Sequence, residues 1–323
     1  MVSAPAFHPA ASMMIDAHTH VWESPEQLGH GAAAGIRRMV DQPWDRFDGS
    51  IAAFERAMQP VRCAFVLGSV SPSRGASITS EQVARIVAHR PGKYVGFASI
   101  DPTQKDAPAQ LDRAQELGLV GVTVSPSGQM FHPMQDEAMR IFETCRDRGL
   151  PVIVQNDSLL DGNASLTLAQ PHLFDEVAQK LPDLRLVISH LGDPWISQTL
   201  VMLSRHAHVF ADISGLVSHP QRLYAALLEA SQRRVMDKIF FASGFPFLSP
   251  AEAVMNVYSC HTMGRGSGMP AVPREALRGI VERDTMSMLG LALPKLEDDA
   301  RLTEEQPTHE PPAPPTKIHG GIG

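Results

Sequence analysis

Short strand-like runs and helical segments alternate eight times along the chain, and this repeat restricts the fold more than any other feature. The strand candidates are rich in β-branched and aromatic residues, and several lack the polar alternation of half-exposed strands. Continuous apolar runs are typical of parallel strands that are covered on both faces. The eight candidates are Met14 to His18, Val61 to Leu67, Tyr94 to Ile100, Gly121 to Val124, Pro151 to Gln155, Leu184 to His190, Val209 to Ile213 and Ile239 to Ser243. The sequence therefore predicts a parallel sheet.

The segments between these strands place apolar residues three and four positions apart, as expected for helices that cover a sheet. Examples are Ser80 to His89, Asp136 to Arg148, Pro171 to Lys180 and Gln221 to Arg233. Eight such units form either a closed barrel or an open doubly wound sheet. No G-x-G-x-x-G turn follows the first strand, which disfavours the dinucleotide-binding form of the open sheet. We therefore predict an α/β fold, a (β/α)₈ barrel over residues 14–294.

The composition fits a folded protein whose partners are small molecules. Hydrophobic residues make up 43% and charged residues 20% of the chain, close to the globular norm. With 28 Lys and Arg against 35 Asp and Glu, the net charge of −7 disfavours binding to nucleic acid or to anionic membranes. The 3 cysteines lie far apart, which disfavours a disulfide framework. We expect a cytoplasmic protein, because residues 1–13 lack the features of a secretory signal and no apolar run approaches the roughly 20 residues that cross a bilayer.

Three segments fall outside the eight units. Residues 1–13 are predicted to be an N-terminal extension, and residues 295–323, rich in Pro, Glu and Thr, a disordered tail. Residues 21–49 are too long for an ordinary connection between a strand and a helix, and they contain Trp22 and Trp44. We predict that this insertion caps the barrel mouth and that both tryptophans contact the substrate. The alternative is a packed surface loop whose aromatic residues only anchor it.

Two pairs of histidines separated by one residue stand out as candidate metal ligands. His18 and His20 end the first strand, where alternating side chains point the same way and can grip one ion. His206 and His208 precede the seventh strand. Barrel enzymes assemble their active sites at the carboxyl ends of the strands, so we assign the first pair to a site and the second to the structure.

These residues belong to a wider resemblance. The chain is similar to the amidohydrolase-related (amidohydrolase family 2) metal-dependent hydrolases and decarboxylases, which have a TIM-barrel fold. The likeness covers most of residues 14–290. It rests on Ile15-Asp-Ala-His-Thr-His-Val21, Val95-Gly-Phe-Ala-Ser-Ile-Asp-Pro102, Leu150-Pro-Val-Ile-Val154, Leu186-Val-Ile-Ser-His-Leu-Gly192, Ala211-Asp-Ile-Ser-Gly215 and Ile239-Phe-Phe-Ala-Ser243.

The resemblance implies a site that this chain keeps only in part. In the family a divalent metal, usually zinc, is held by the first-strand histidines, a histidine ending strand five and an aspartate ending strand eight, and a strand-six histidine assists. The chain matches these positions at His18, His20 and His190. Gln155 stands in place of the fifth-strand histidine, and Gly244 in place of the aspartate. The implied zinc would therefore be weakly bound or absent, since a glutamine amide is a poorer donor and glycine has no side chain.

Three groups offer alternatives for the vacated positions. His190 is a candidate third ligand, and Asp157 or Asp193 a candidate carboxylate. For the aspartates the competing interpretation is a turn or a helix cap, because Asp193-Pro194 precedes a helix. Asp212 matches the family motif on strand seven, and we predict that it accepts a hydrogen bond from His190 or a neighbouring hydroxyl, with direct chemistry as the alternative.

Two hypotheses of function follow. The first is metal-assisted hydrolysis or nonoxidative decarboxylation of a small carboxylated organic molecule, with His190 and Asp212 as catalytic groups and an impaired metal site. The second is a noncatalytic descendant that binds a small molecule or a protein partner at the barrel mouth. The resemblance also implies a possible homodimer.

Overall fold

The computed structural model describes residues 13–38, 47–264 and 268–295. Eight parallel strands form its central sheet, in chain order from one edge to the other. These strands are β1 (Ile15–Thr19), β2 (Cys63–Leu67), β3 (Tyr94–Ser99), β4 (Gly121–Val124), β5 (Val152–Val154), β6 (Leu186–Ile188), β7 (Val209–Asp212) and β8 (Ile239–Phe240). The eight-stranded α/β prediction is confirmed. The predicted extension and tail lie outside the described residues apart from Met13 and Lys295, as does Trp44.

The sheet closes between β1 and the segment that follows β8. Thr19 and Phe245 form a parallel bridge. Three backbone hydrogen bonds of 2.9–3.1 Å reinforce the seam, among them one from the Gly244 N–H to the His18 carbonyl. The closed arrangement is the (β/α)₈ barrel.

Helices follow or connect the strands, and the first of them lies at the rim, where Ala32 lines the cavity described below. They are α1 (His30–Arg38), α2 (Ile51–Ala57), α3 (Ser80–His89), α4 (Ala107–Glu116), α5 (Pro126–Gln129), α6 (Asp136–Arg148), α7 (Asp175–Lys180), α8 (Ile196–Arg205), α9 (Pro220–Gln232), α10 (Pro250–Ser259), α11 (Arg274–Val281) and α12 (Thr285–Met288). A short antiparallel hairpin, Ser69–Ser71 with Ala76–Ile78, follows β2. No helix in the described ranges is long and apolar enough to span a bilayer.

The barrel interior is filled by aromatic side chains from alternate strand positions. Phe65 and Phe97 pack with ring centroids 4.9 Å apart, and Phe210 and Phe240 with centroids 5.1 Å apart. All four rings are at most 4% exposed. Below the mouth the barrel is therefore a packed core, and chemistry is confined to its open rim.

Candidate active site at the barrel rim

A bulge in β1 turns two histidines toward the barrel interior. The pairing of β1 with β2 slips by one residue between Asp16 and Thr19. Thr19 therefore pairs with Val66, which belongs to the hydrophobic core outside the sheet. Without the slip, His18 would pair with Val66 and its side chain would point outward. The slip leaves His18 and His20 on the inner face, 2% and 9% exposed. Bulges commonly re-aim side chains in this way beside active sites.

Asp212, at the end of β7, is the hydrogen-bonding centre of the site. Its Oδ2 accepts from Nδ1 of His18 at 3.1 Å. Its Oδ1 accepts from the backbone N–H groups of His190 at 3.1 Å and Ser214 at 2.9 Å, and from the Ser214 hydroxyl. Burial alone would raise the pKa of Asp212, but His18, His190 and Ser214 hold it well below its usual range. Asp212 is therefore a buried carboxylate, and its catalytic role stays a prediction.

The three histidines are packed against one another. The ring centroid of His18 lies 5.2 Å from that of His20 and 4.9 Å from that of His190. His20 Nδ1 bonds the Leu67 carbonyl at 3.1 Å. Burial, reinforced by His18, lowers the pKa of His20 to about 3, and the same two causes lower the pKa of His190. At neutral pH His20 and His190 are therefore uncharged imidazoles.

The backbone at His190 is left-handed, which ends β6 early. His190 has φ 57° and Leu191 φ 50°, values that L-residues adopt at a cost. The turn is held by the bond from the His190 N–H to Asp212 and by two contacts of His190 Nδ1, to the Ser214 carbonyl at 3.0 Å and to its hydroxyl oxygen at 2.9 Å. Such strained residues cluster at functional sites. The predicted strand, Leu184 to His190, is accordingly shortened to Leu186–Ile188.

The two altered positions also reach the rim. Gln155, 7% exposed, donates from Nε2 to the Gly68 carbonyl at 3.4 Å. Gly244 has φ 70°, and a Cβ built on it would lie 3.2 Å from the Gly215 nitrogen. The structure thus brings together the five positions that the family resemblance singles out, since all line one cavity: His18, His20, Gln155, His190 and Gly244.

This rim cavity has a volume of about 330 Å³. Phe47 and Phe247, with ring centroids 5.2 Å apart, form part of its apolar wall. Trp22, 3% exposed, packs against Phe247 at 5.9 Å and does not line the cavity. A contact of Trp22 with the substrate therefore stays a prediction, and in this structure its ring lies behind the cavity wall. Arg222, at the mouth, also lines the cavity.

A buried ion cluster supports one cavity wall, and sequence reasoning missed it. Arg74, in the hairpin, donates to Asp157 Oδ2 at 2.5 Å and to Asp161 Oδ2 at 2.7 Å. The exposed fractions of these side chains are 7%, 20% and 1%. Asp157, considered above as a replacement ligand, therefore already has a cationic partner.

Asp193 also has a partner different from the one expected. It pairs with Arg222 rather than capping α8, whose preceding residue is Trp195 and has no side-chain cap. The second histidine pair lies elsewhere: His206 bonds Asp175 at 2.7 Å and His208 the Pro182 carbonyl at 2.9 Å. Neither lines the rim cavity.

The donor set differs from the one that the family resemblance implies. Across the described ranges no group of three or more His, Cys, Asp or Glu side chains is arranged to hold a metal. The position of the fifth-strand ligand carries an amide, and that of the carboxylate carries a glycine in a left-handed conformation. A full catalytic zinc site needs three protein ligands and an open position.

Solved structures with the same fold include two decarboxylases and an uncharacterised protein. An uncharacterised TIM-barrel protein from Bordetella bronchiseptica is 20% identical with a TM-score of 0.67, covering 86% of this chain and 98% of that one. A 5-carboxyvanillate decarboxylase from Sphingomonas paucimobilis is 16% identical, TM-score 0.59, with coverage of 86% and 99%. A dihydroxybenzoic acid decarboxylase from Polaromonas, with bound manganese and 2-nitroresorcinol, is 16% identical, TM-score 0.54, with coverage of 86% and 96%.

No curated protein sequence matches the chain. The family model for amidohydrolases matches residues 15–255, a span that includes His18, His20, Gln155, His190 and Gly244. The chain belongs to the amidohydrolase family.

Proposed function

We propose that this protein binds a small hydroxylated aromatic carboxylate in the rim cavity and does not carry out the metal-assisted hydrolysis of its family. The observation that carries the proposal is Gly244. Its left-handed backbone and the 3.2 Å approach to Gly215 leave neither a carboxylate nor strain-free room for one. The group that would take or deliver a proton beside a metal is therefore missing.

The cavity wall supports this class of ligand. Phe47 and Phe247 offer faces for an aromatic ring, and Arg222, whose side chain is 49% exposed, offers a cation for a carboxylate at the mouth. Arg222 shows one bond to Asp193, so its fork retains further N–H donors. Two of the solved structures described above act on hydroxylated aromatic carboxylates by name. In this arrangement Asp212 orients the His18 ring and the backbone of His190, and the apolar wall excludes water.

Binding is tested with 4-hydroxybenzoate as the probe, by titration calorimetry. Leu159 lines the cavity and is 38% exposed, so Leu159→Trp fills the mouth with little cost to the core. We expect this variant to weaken binding at least tenfold. Leu166, 61% exposed and absent from the cavity lining, supplies the matched control Leu166→Trp, which should bind as the parent does. Equal binding by both variants would place the ligand elsewhere.

Metal content is tested on protein purified from zinc- and manganese-supplemented medium. We expect well under one metal ion per chain. The metal content of His20→Ala should equal that of the control His208→Ala, whose histidine lies outside the cavity. A full equivalent that is lost only in His20→Ala would contradict the proposal.

The second candidate is metal-dependent hydrolysis or decarboxylation, and one observation favours it. His18, His20 and His190 each bond a protein oxygen through Nδ1, which is how metal-ligating histidines are commonly oriented. The same metal measurement decides between the two candidates, because stoichiometric ion would favour this one.

A further inference from the structure

The hydrogen bonds of the three histidines fix where each ring carries its proton. A carbonyl only accepts, so His20 must donate from Nδ1 to Leu67, 3.1 Å away. His190 Nδ1 faces the Ser214 carbonyl and the Ser214 hydroxyl oxygen, and that hydroxyl already donates its hydrogen to Asp212. His190 must therefore donate to both oxygens.

His18 follows the same rule. Its Nδ1 faces the Oδ2 atom of Asp212, which is ionised and accepts only. All three rings thus carry a proton on Nδ1, and a ring that holds only this proton keeps an acceptor lone pair on Nε2. In the described part of the chain, no side chain or backbone group hydrogen bonds to any of these three Nε2 atoms. The rings line the rim cavity.

The two ends of the cavity therefore differ in polarity. The buried floor, with His18 and His20 at most 9% exposed, offers acceptors, whereas the half-exposed Arg222 at the mouth offers donors. A carboxylate at the floor would face the imidazole lone pairs and, among the described residues, no cation, because the donors that line the cavity beside them, Ser69 and Gln155, are neutral; desolvating a charge there is costly. A hydroxyl at the floor would donate to an imidazole.

The geometry points to a specificity device within the proposed function, on which this inference rests: His18, His20 and His190 form an acceptor array that selects a ligand by its hydroxyl group and excludes a carboxylate. A hydroxylated aromatic carboxylate enters hydroxyl first, and its carboxylate remains at Arg222. This orientation keeps the carboxylate away from the histidines. The array therefore determines which end of the ligand binds at the buried floor.

The first experiment needs no ligand. Nitrogen NMR of protein labelled in its histidines distinguishes a protonated ring nitrogen from an unprotonated one. At pH 8 we expect His18, His20 and His190 to be protonated at Nδ1 and unprotonated at Nε2, with assignments from the three His→Gln variants. A proton on Nε2 of any of the three rings would overturn the acceptor array, even if a ligand binds in the cavity.

The second experiment compares probes by titration calorimetry. The array predicts that 4-methoxybenzoate, which keeps the carboxylate but has no hydroxyl hydrogen, binds at least tenfold more weakly than 4-hydroxybenzoate, because a desolvated acceptor is left unpaired. Arg222→Met should weaken 4-hydroxybenzoate severalfold and leave phenol unchanged. Equal binding of the hydroxy and methoxy compounds would overturn the inference while leaving the proposed function standing.

Two further outcomes separate the inference from the function. If none of the three probes binds but Nε2 is unprotonated in all three rings, the proposed ligand class is wrong and the acceptor array is supported. If zinc binds stoichiometrically and shifts all three Nε2 signals, the array is a metal site, and the inference that it reads a hydroxyl is overturned.

Discussion

Replacing Gly244 with alanine should destabilise the protein in two separable ways. The residue is buried and has φ 70°, where an L-side chain costs about 1–2 kcal/mol. The new Cβ would also lie 3.2 Å from the Gly215 nitrogen and 3.4 Å from Ser214 Cβ. Ser214 is bonded to Asp212 and His190, so it resists displacement, and overpacking of this kind costs about 1 kcal/mol or more. The two costs together give an expected loss of about 2–3 kcal/mol.

Urea unfolding measures this loss, and Gly118→Ala is the matched control. Gly118 has φ 76°, but a Cβ added there would meet nothing within 4 Å, so the variant should show the backbone cost alone, about 1–2 kcal/mol. If Gly244→Ala costs no more than Gly118→Ala, the contact with Gly215 has no energetic weight. If neither variant loses stability, the backbone argument is wrong, and with it the claim that position 244 resists a carboxylate.

Two other predictions concern the same rim. Burial and His18 lower the pKa of His20 to about 3. Between that value and the ordinary 6.5, the unfolded chain takes up a proton that the native state does not, so the free energy of unfolding should fall on acidification. Between pH 7 and pH 5 we expect it to fall by about 2 kcal/mol more in the parent than in His20→Asn. Urea midpoints that move in parallel would contradict this. Arg74→Met should lower the free energy of unfolding by about 3–5 kcal/mol, because it leaves Asp157 and the buried Asp161 without their cation. The control Arg233→Met breaks an exposed helical pair and should lower it by under about 1 kcal/mol. Equal losses of stability would mean that the cluster does not support the cavity wall.

The repeat pattern predicted the barrel because the apolar spacing of strands and that of helices can both be recognised within a short stretch of sequence. Ser80–His89 and Asp136–Arg148 have the bounds that the apolar spacing predicts, and so does Gly121–Val124. The prediction for β6 ran too long, because the left-handed turn at His190 depends on a carboxylate from another strand. Tertiary contacts of that kind leave no trace in local spacing.

The site was predicted in position but not in its connections. Alternation placed His18 and His20 on one face, yet only the one-residue slip between Asp16 and Thr19 turns that face inward. The Arg74 cluster joins segments more than 80 residues apart, and nothing in either segment marks the other as a partner. Sequence could name the residues, because the resemblance supplied their positions, but it could not supply the hydrogen bonds that orient them.

Those hydrogen bonds explain how the rim keeps its shape with Gln155 and Gly244 at two of its positions. Each imidazole is fixed through Nδ1 by a protein oxygen: His18 by Asp212, His20 by Leu67 and His190 by Ser214. None of these bonds requires an ion. Gly244 offers no carboxylate to carry a proton, but the three rings stay oriented without one, and the hydrogen bonds between β1 and the segment after β8 keep the barrel closed. These bonds alone therefore suffice to present the three acceptors to the proposed organic ligand.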